Sequence, residues 1–222
     1  MSDFLLAMTT LWRREMVRFF RQRSRIVGYG DPGNEADFIM KRKLFFLFVV
    51  CFGCARQPEL IRYYPVPEFS LVERSGKTVT RHDLAGKVWV ADFIFTNCGG
   101  TCPMMSEEMR KLQDVLPPEI HMVSFTVDPS RDTAEVLAKY AQKFGADENR
   151  WWFLTGEKQA LYDLSIKGFK LALEDTGGTR TEPITHSTRF VLVDRQGMIR
   201  GYYGGTEDEE LKRLSADAKK LL

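Results

Sequence analysis

The sequence has little of several features that would each define a class of protein. Only 4 of its 222 residues are cysteine, too few for a disulfide-dense secreted scaffold. It carries 32 basic and 30 acidic residues, and the formal net charge of +2 indicates neither nucleic-acid binding nor a strongly charged tail. No apolar run reaches the roughly 18–20 residues that a membrane-spanning helix requires. With 44% hydrophobic and 28% charged residues, the composition is that of one sizeable globular domain with extensions.

A segment typical of an export signal lies inside the chain. Residues 41–43 are all basic, and residues 44–53 form an apolar run that ends in a small residue before Cys54. At about 1.5 Å per residue this run covers about 15 Å, half of a bilayer core. Its length therefore predicts the apolar region of a signal peptide rather than a membrane span.

These patterns divide the chain into four parts. We expect residues 40–54 to be a signal peptide of the lipoprotein type, with Cys54 as the lipidated residue, and an uncleaved signal anchor is the alternative. Residues 1–39 precede the signal and are interpreted as a mis-assigned start or a disordered extension. Residues 55–67 contain three prolines and are predicted to be a tether, followed by a folded domain over 68–222. The predicted location is outside the cytoplasm, membrane-anchored and facing the periplasm or the cell exterior.

The folded domain alternates strand and helix patterns. A hairpin over 69–80 precedes a continuous apolar strand over 87–96, and a helix is predicted over 103–116. A second helix is predicted to start at Asp132 in a capping-box pattern, and residues 190–203 read as a late hairpin. This order predicts an α/β, thioredoxin-like fold with a mixed, mostly parallel central sheet flanked by helices and an N-terminal β-hairpin. A flavodoxin-like sheet would lack the late hairpin.

Cys98 and Cys102 stand directly after the predicted central strand, with Pro103 where a helix begins. A helix N-terminus stabilises thiolate, so the pair is predicted to be reactive, vicinal and partly exposed, with lowered thiol pKa values. Two glycines between the cysteines let the loop bring both sulfurs towards one point. The C-x3-C spacing is one residue longer than the usual redox motif.

Two thiolates form a soft metal site that suits Cu(I) or zinc. A closed zinc site requires four ligands, usually from two pairs, and no second cysteine pair follows in the domain. Cu(I), in contrast, accepts three ligands. Among the histidines, His82 and His121 are expected at the surface. His186 lies in the loop before the late hairpin, which approaches the first helix in a thioredoxin-like order, so it is the candidate third ligand.

Three segments resemble the Sco/SenC family of membrane-tethered copper proteins, and the likeness spans nearly all of residues 68–222. The segments are WVADFIFTNCGGTCPMMS, VSFTVDPSRDT and ITHSTRFVLVDRQGMIRGYY. The resemblance implies that Cys98, Cys102 and His186 bind copper, as Cu(I) with Cu(II) as a second state. It also implies delivery of copper to the binuclear copper site of cytochrome c oxidase during assembly. Residues 99–101 depart from the family, since many members have proline or an acidic residue there.

The predicted function is therefore a metallochaperone rather than an enzyme. Its expected partners are the copper-bearing subunit of cytochrome c oxidase or another copper acceptor, a thiol reductant, and the membrane through the N-terminal anchor, with no nucleic acid. The main alternative is a thiol–disulfide oxidoreductase in which Cys98 and Cys102 act as attacking and resolving thiols and His186 has no necessary role. A peroxiredoxin-type peroxidase and a lipoprotein with a structural disulfide fit the spacing less well.

Other candidate residues surround the predicted site. Asp128 ends a strand before Pro129 and is interpreted as a turn residue, with tuning of the cysteines or contact with a partner as the alternative. Met105 and Met109 lie on the packed stripe of the first helix and are predicted to be core residues. For Met104, the sequence leaves a role as a soft copper donor undecided. The same stripe is predicted to include Leu112, Val115 and Leu116.

Overall fold

The computed structural model describes residues 59–174 and 184–222. Residues 59–222 form one compact unit. The predicted signal peptide, the lipidation site Cys54 and the predicted extension over residues 1–39 lie outside the described residues. Within the described ranges, no helix is both long enough and apolar enough to cross a membrane.

A seven-stranded sheet forms the centre of the unit. The strands of the described residues, seven in this sheet and two in a second one, are β1 (Ser70–Glu73), β2 (Thr78–Thr80), β3 (Val88–Ile94), β4 (Ile120–Thr126), β5 (Trp151–Thr155), β6 (Leu173–Glu174), β7 (Thr185–His186), β8 (Arg189–Val193) and β9 (Ile199–Gly204). The order in the sheet is β2-β1-β5-β4-β3-β8-β9, and β6 pairs with β7 in a separate two-stranded sheet.

In the described residues, four α-helices alternate with the strands along the chain. They are α1 (Thr101–Val115), α2 (Ala134–Lys143), α3 (Lys158–Asp163) and α4 (Asp208–Lys219). A 3-10 turn at Arg81–Leu84 precedes β3, and a π-helical turn at Leu164–Gly168 continues α3.

The core explains why the central strands read as apolar runs. All seven residues of β3 are buried, and aromatic rings fill one side of the sheet. Phe93 stacks on Phe125 of β4 with ring centroids 5.1 Å apart, and Phe169 meets both rings edge-on or tilted. A strand covered on both faces has no solvent side and therefore shows no polar alternation.

The predicted thioredoxin-like α/β fold with an N-terminal hairpin is confirmed. The sheet is mixed as expected, but parallel pairing is confined to β3, β4 and β5. The pairings of β1 with β2 and β5, and of β8 with β3 and β9, are antiparallel. The parallel part is therefore smaller than predicted, because the two hairpins supply both edges of the sheet.

Three local expectations need correction. Helix α1 begins at Thr101, two residues before the predicted start. Val115, in the last turn of α1, is 58% exposed and is not part of the buried stripe. Helix α2 begins at Ala134, and its N-cap is Thr133, whose side chain accepts a hydrogen bond from the Val136 amide. Asp132 does not cap the helix because its carboxylate is engaged elsewhere.

Residues 59–67, assigned to the predicted tether, lie along the edge strand β9. The Tyr63 amide donates to the Ile199 carbonyl at 2.9 Å, and the Ile199 amide donates to the Tyr64 carbonyl at 2.8 Å. Buried Arg200 pairs with Asp194 at 2.8 Å and donates to backbone carbonyls of the same segment. The compact unit therefore begins at residue 59, earlier than the predicted domain start at 68.

Candidate metal centre

The loop that carries the first cysteine is fixed by Asp132. Its carboxylate accepts hydrogen bonds from the Thr96 amide at 3.1 Å, from the Thr96 hydroxyl, and from the Thr126 hydroxyl at 2.6 Å. Thr96 follows β3 and Thr126 ends β4, so one buried carboxylate joins the ends of the two central parallel strands. This is the edge at which open α/β sheets place functional loops.

Both cysteines of the domain are free thiols at that edge. Cys98 lies in the loop and is 9% exposed, and Cys102 lies in the first turn of α1 and is fully buried. The Gly100 amide donates to the Cys98 sulfur at 3.4 Å, which turns the loop back towards the helix. The pair is vicinal as predicted, but it is buried rather than partly exposed.

His186 is brought to the cysteines by the small β6–β7 sheet, in which it pairs with Leu173. Its Nε2 lies 3.0 Å from the Cys102 sulfur, although the two residues are 84 positions apart in the chain. Its Nδ1 lies 3.0 Å from the Ser187 carbonyl oxygen. A carbonyl only accepts, so Nδ1 donates and Nε2 keeps a lone pair directed at the thiol. The ring also contacts Phe95 edge-on, at 5.6 Å between centroids.

The protonation of Cys102 differs from the sequence-based prediction. Burial raises the pKa of the Cys102 thiol well above its ordinary value, and the neighbouring Cys98 and Asp92 raise it further. A backbone hydrogen bond from Phe95 lowers it only in part. The predicted lowering by the helix N-terminus is therefore wrong for this thiol, because desolvation of the sulfur outweighs the helix dipole.

Asp92 is a buried acid that the sequence analysis missed. It lies within β3 and is fully buried, and burial raises its pKa to about 7 while its register partner Ser124 on β4 offsets this in part. It is close enough to Cys102 to raise the pKa of that thiol. The available signal was a single carboxylate inside an otherwise apolar strand, since buried acids are rare unless they are paired or functional.

Asp128 lies two residues after the end of β4 and is buried. Its carboxylate accepts hydrogen bonds from the Ser130 hydroxyl at 2.6 Å and the Arg131 guanidinium at 3.0 Å. Its amide donates to the Thr126 hydroxyl at 3.0 Å. These contacts are those of a turn residue that ends a strand, and tuning of the cysteines by Asp128 stays a prediction.

The other two histidines of the sequence differ in their exposure to solvent. His82 is exposed as expected, but His121 is half-buried against Trp152, with its pKa lowered to about 4 by burial and by nearby Lys87 and Arg150. The expectation that His121 is a surface residue is therefore wrong.

The methionines divide as the helix stripe predicted. Met105 and Met109 are fully buried in the core, whereas Met104 is 57% exposed in the first turn of α1.

The described residues bring two of the three expected ligands into direct contact. Cys102 and His186 touch, and Cys98, in the loop before α1, lies close enough to Cys102 to raise the pKa of that thiol. In the described ranges no three Cys, His, Asp or Glu side chains already surround a common point. The arrangement provides two soft sulfur donors and an oriented imidazole nitrogen at one sheet edge, a set that favours Cu(I) among biological metals.

Known proteins resemble this chain over most of its length. The SCO1 protein homolog of Bacillus subtilis (strain 168) is 33% identical over 180 residues, which cover 79% of this chain and 92% of the relative. A putative copper-binding protein of Stutzerimonas stutzeri is 32% identical over 150 residues, covering 64% of this chain and 71% of the relative.

Solved structures resemble it as well. The crystal structure of a SCO1/SenC family lipoprotein from Bacillus anthracis is 33% identical, with a TM-score of 0.66 over 71% of this chain and 95% of that chain. A structure of BsSco, described as having a disulfide switch and as a member of the Sco family of cytochrome c oxidase assembly proteins, is 30% identical. Its TM-score is 0.65, and the match covers 75% of this chain and 97% of that chain. Because residues 62–222, well over half of the chain, match the SCO1/SenC family model, this protein belongs to the SCO1/SenC family.

Proposed function

We propose that this protein binds copper as its cargo through Cys98, Cys102 and His186, and delivers it to the binuclear copper site of cytochrome c oxidase during assembly. The observation that carries the proposal is the 3.0 Å contact between the Cys102 sulfur and the His186 Nε2. A sulfur and an imidazole nitrogen that already face each other need only small shifts to share a metal ion. The description of one relative as a putative copper-binding protein and of another as a cytochrome c oxidase assembly protein supports this proposal.

Copper loading must displace a proton from Cys102. Its thiol has a raised pKa and is therefore protonated at neutral pH in the metal-free protein. A metal ligand must be a thiolate, so binding releases this proton and the apparent affinity falls as the pH is lowered. The Ser187 carbonyl holds Nδ1 of His186, which keeps Nε2 available for the metal in the neutral ring.

Cys98 completes the ligand set from the adjacent loop, since its side chain already lies close enough to raise the pKa of the Cys102 thiol. The two glycines at positions 99 and 100 give that loop the backbone freedom to adjust the position of the Cys98 sulfur when copper binds. An acceptor thiolate can then displace one of the three ligands, so that copper passes by ligand exchange and is never released into solution.

Oxidation of the cysteine pair opposes copper binding. A disulfide between Cys98 and Cys102 removes two electrons and two protons from the thiols and leaves no thiolate for the metal. We propose that the protein works outside the cytoplasm, anchored by a lipid on Cys54, where the oxidising environment requires a thiol reductant to keep the pair reduced.

A Cu(I) competition titration tests the proposal. The reduced protein should bind one Cu(I), and the oxidised protein should bind none tightly. Cys98→Ser and Cys102→Ser should abolish tight binding, and His186→Ala should weaken it at least tenfold. His82→Ala, which removes an exposed histidine, is the matched control and should bind as the wild type does. If the His186 variant binds Cu(I) with unchanged affinity, the imidazole is not a copper ligand.

A thiol–disulfide oxidoreductase that reduces the acceptor's cysteines is the second candidate. Two free thiols, one in the loop before α1 and one in its first turn, favour it. In this function the pair becomes a disulfide and the acceptor's disulfide becomes two thiols. His186→Ala separates the candidates, because the variant should keep most exchange activity with a model disulfide while losing copper affinity.

A further inference from the structure

The segment that leads into the domain presents an unusual surface. Seven large hydrophobic side chains are exposed in the described residues, and three of them fall within residues 61–64. Ile61 is 64% exposed, Tyr63 is 41% exposed and Tyr64 is 50% exposed. We name Ile61, Tyr63 and Tyr64, with the flanking cations Arg62 and Lys170, the aromatic edge.

The backbone of the aromatic edge is held in place by β9. Tyr63 and Tyr64 exchange backbone hydrogen bonds with Ile199. The Arg200 guanidinium donates to the Ile61 carbonyl at 3.0 Å, and Arg200 is itself only 5% exposed. A loose tether would leave these side chains free to fold back, whereas this segment presents them at a fixed position.

The side chains of the aromatic edge combine amphipathic rings with two cations, of which Arg62 also pairs with exposed Glu59 at 3.4 Å. Tyr63 packs edge-on against Tyr202, with ring centroids 5.4 Å apart. The Lys170 ammonium lies 5.6 Å from the centre of the Tyr64 ring, and Lys170 and Arg62 are exposed. Tyrosine rings with neighbouring lysine and arginine are the combination that settles at the level of lipid headgroups.

The length of the chain restricts what can cover this surface. Ile61 is seven positions after Cys54 in the chain, and a fully extended chain spans at most about 25 Å over that length. With a lipid on Cys54, the aromatic edge cannot move away from the bilayer surface by more than that distance. This step rests on the lipid anchor of the proposed function.

We propose that the aromatic edge rests in the headgroup region of the anchoring membrane and orients the domain on it. The aromatic edge pairs with Ile199 at the start of β9, whereas Gly204 at the other end of β9 pairs with Arg189, close to His186. The strand covers about 17 Å between these ends. The contact therefore turns the copper-binding end away from the lipid and towards an acceptor.

Hydroxyl-radical footprinting of the full chain in protein-free vesicles tests this contact. The vesicles are phosphatidylcholine with or without phosphatidylglycerol, and flotation first establishes that the chain is anchored. A chain that begins at residue 55, measured in buffer without vesicles, supplies the reference, because residues 59–222 form a compact unit with its own hydrophobic core. Tyr63 and Tyr64 should react severalfold more slowly in vesicles than in the reference. Met104, exposed in the first turn of α1, should react equally in both.

A variant supplies the second measurement. The triple substitution Ile61→Ser, Tyr63→Ser and Tyr64→Ser, made in the chain that begins at residue 55, should sediment severalfold less with phosphatidylglycerol-containing vesicles than the unsubstituted chain. Val115→Ser removes another exposed apolar side chain from α1 and should leave the binding unchanged. An unchanged Cu(I) titration checks that the triple variant is folded.

The outcomes separate the two proposals. If the full chain floats with vesicles and its Tyr63 and Tyr64 stay as reactive as in solution, the lipid contact is overturned and the surface belongs to a protein partner. Equal sedimentation of the triple variant and the unsubstituted chain also overturns it. If the full chain does not float, the anchor and this inference both fail, while the Cu(I) titration still decides the copper site independently.

Discussion

At the scale of single residues, Asp92 makes the stability of the domain depend on pH. Its carboxyl is fully buried in β3, and burial raises its pKa to about 7. The folded protein therefore keeps a proton on Asp92 up to about pH 7, whereas the unfolded chain releases it near pH 4. The stabilisation from this proton is fully present below about pH 4 and is lost as the pH rises to about 7.

Asp92→Asn should remove this dependence. The amide cannot ionise, so the variant should be more stable than the wild type at pH 8 by a margin on the order of a few kcal/mol, since each pKa unit corresponds to about 1.4 kcal/mol. Urea unfolding of the reduced, metal-free proteins at pH 5 and pH 8 measures it. Asp114→Asn replaces an exposed carboxylate and serves as the control. If the free energy of unfolding changes equally between pH 5 and pH 8 in the wild type and in Asp92→Asn, the raised pKa of Asp92 is contradicted.

His121 should change the stability of the domain with pH in the opposite direction to Asp92. Burial, Lys87 and Arg150 lower its pKa to about 4, so the unfolded chain binds a proton near pH 6.5 that the folded protein accepts only near pH 4. The stability that neutral His121 contributes is present above about pH 6.5 and is lost as the pH falls towards 4. His121→Gln should flatten the acid side of the unfolding curve, with His82→Gln as the exposed control. If the free energy of unfolding of His121→Gln falls between pH 6.5 and 4 as steeply as that of the wild type, the loss of stability in acid is due to other groups.

At the scale of elements, Asp132 connects the loop after β3 to the end of β4. Asp132→Ala removes the acceptor of hydrogen bonds from Thr96 and Thr126 and leaves these donors buried. We expect a loss of about 2–4 kcal/mol in the free energy of unfolding and a weaker Cu(I) affinity, because the Cys98 loop loses its support.

Thr133→Ala is the matched control for the neighbouring position. Thr133 caps α2 and makes no contact with the cysteine loop among the hydrogen bonds of the described residues. Its removal should cost about 0.5–1 kcal/mol in the free energy of unfolding and leave Cu(I) affinity unchanged. Equal copper affinities in the two variants would show that Asp132 acts on stability alone.

The sequence was most informative where a local pattern determines the structure. The apolar run of β3, the buried methionines of α1 and the hairpin of β8 and β9 were predicted because hydrophobic periodicity and turn residues act over a few positions. Local pattern did not identify the roles of Asp132 and Asp92, because each depends on residues brought close by the sheet. Asp132 has the spacing of a helix cap, and only its contact with Thr126 shows its actual role.

The candidate site was predictable in part for the same reason. The spacing of Cys98 and Cys102 near a helix start indicated a vicinal pair, and the predicted order of strands and helices, together with the family resemblance, indicated His186. Nothing local indicated that the pair is buried, since the exposure of Cys102 depends on the His186 loop and on Phe95. The burial reverses the expected direction of the Cys102 pKa shift.

At the scale of the whole molecule, one buried ion pair joins the start of the unit to its sheet. Arg200 and Asp194 are almost completely buried, and Asp194 also accepts from the Gln196 and Met198 amides in the turn between β8 and β9. Arg200 additionally holds the Leu60 and Ile61 carbonyls. The segment that presents the aromatic edge therefore depends on a charge near the start of β9.

Arg200→Met should release this segment without changing the copper site. It leaves Asp194 as a buried charge without its partner, so we expect a loss of about 3–5 kcal/mol in the free energy of unfolding. Hydrogen exchange should become much faster for the amides of residues 60–66, whereas Cu(I) affinity stays that of the wild type. Arg200→Lys keeps the charge but forms fewer hydrogen bonds to the segment, so it should fall between the two. Exposed Arg62→Gln is the control, and slow exchange of residues 60–66 in Arg200→Met would show that the pairing with β9 holds the segment by itself.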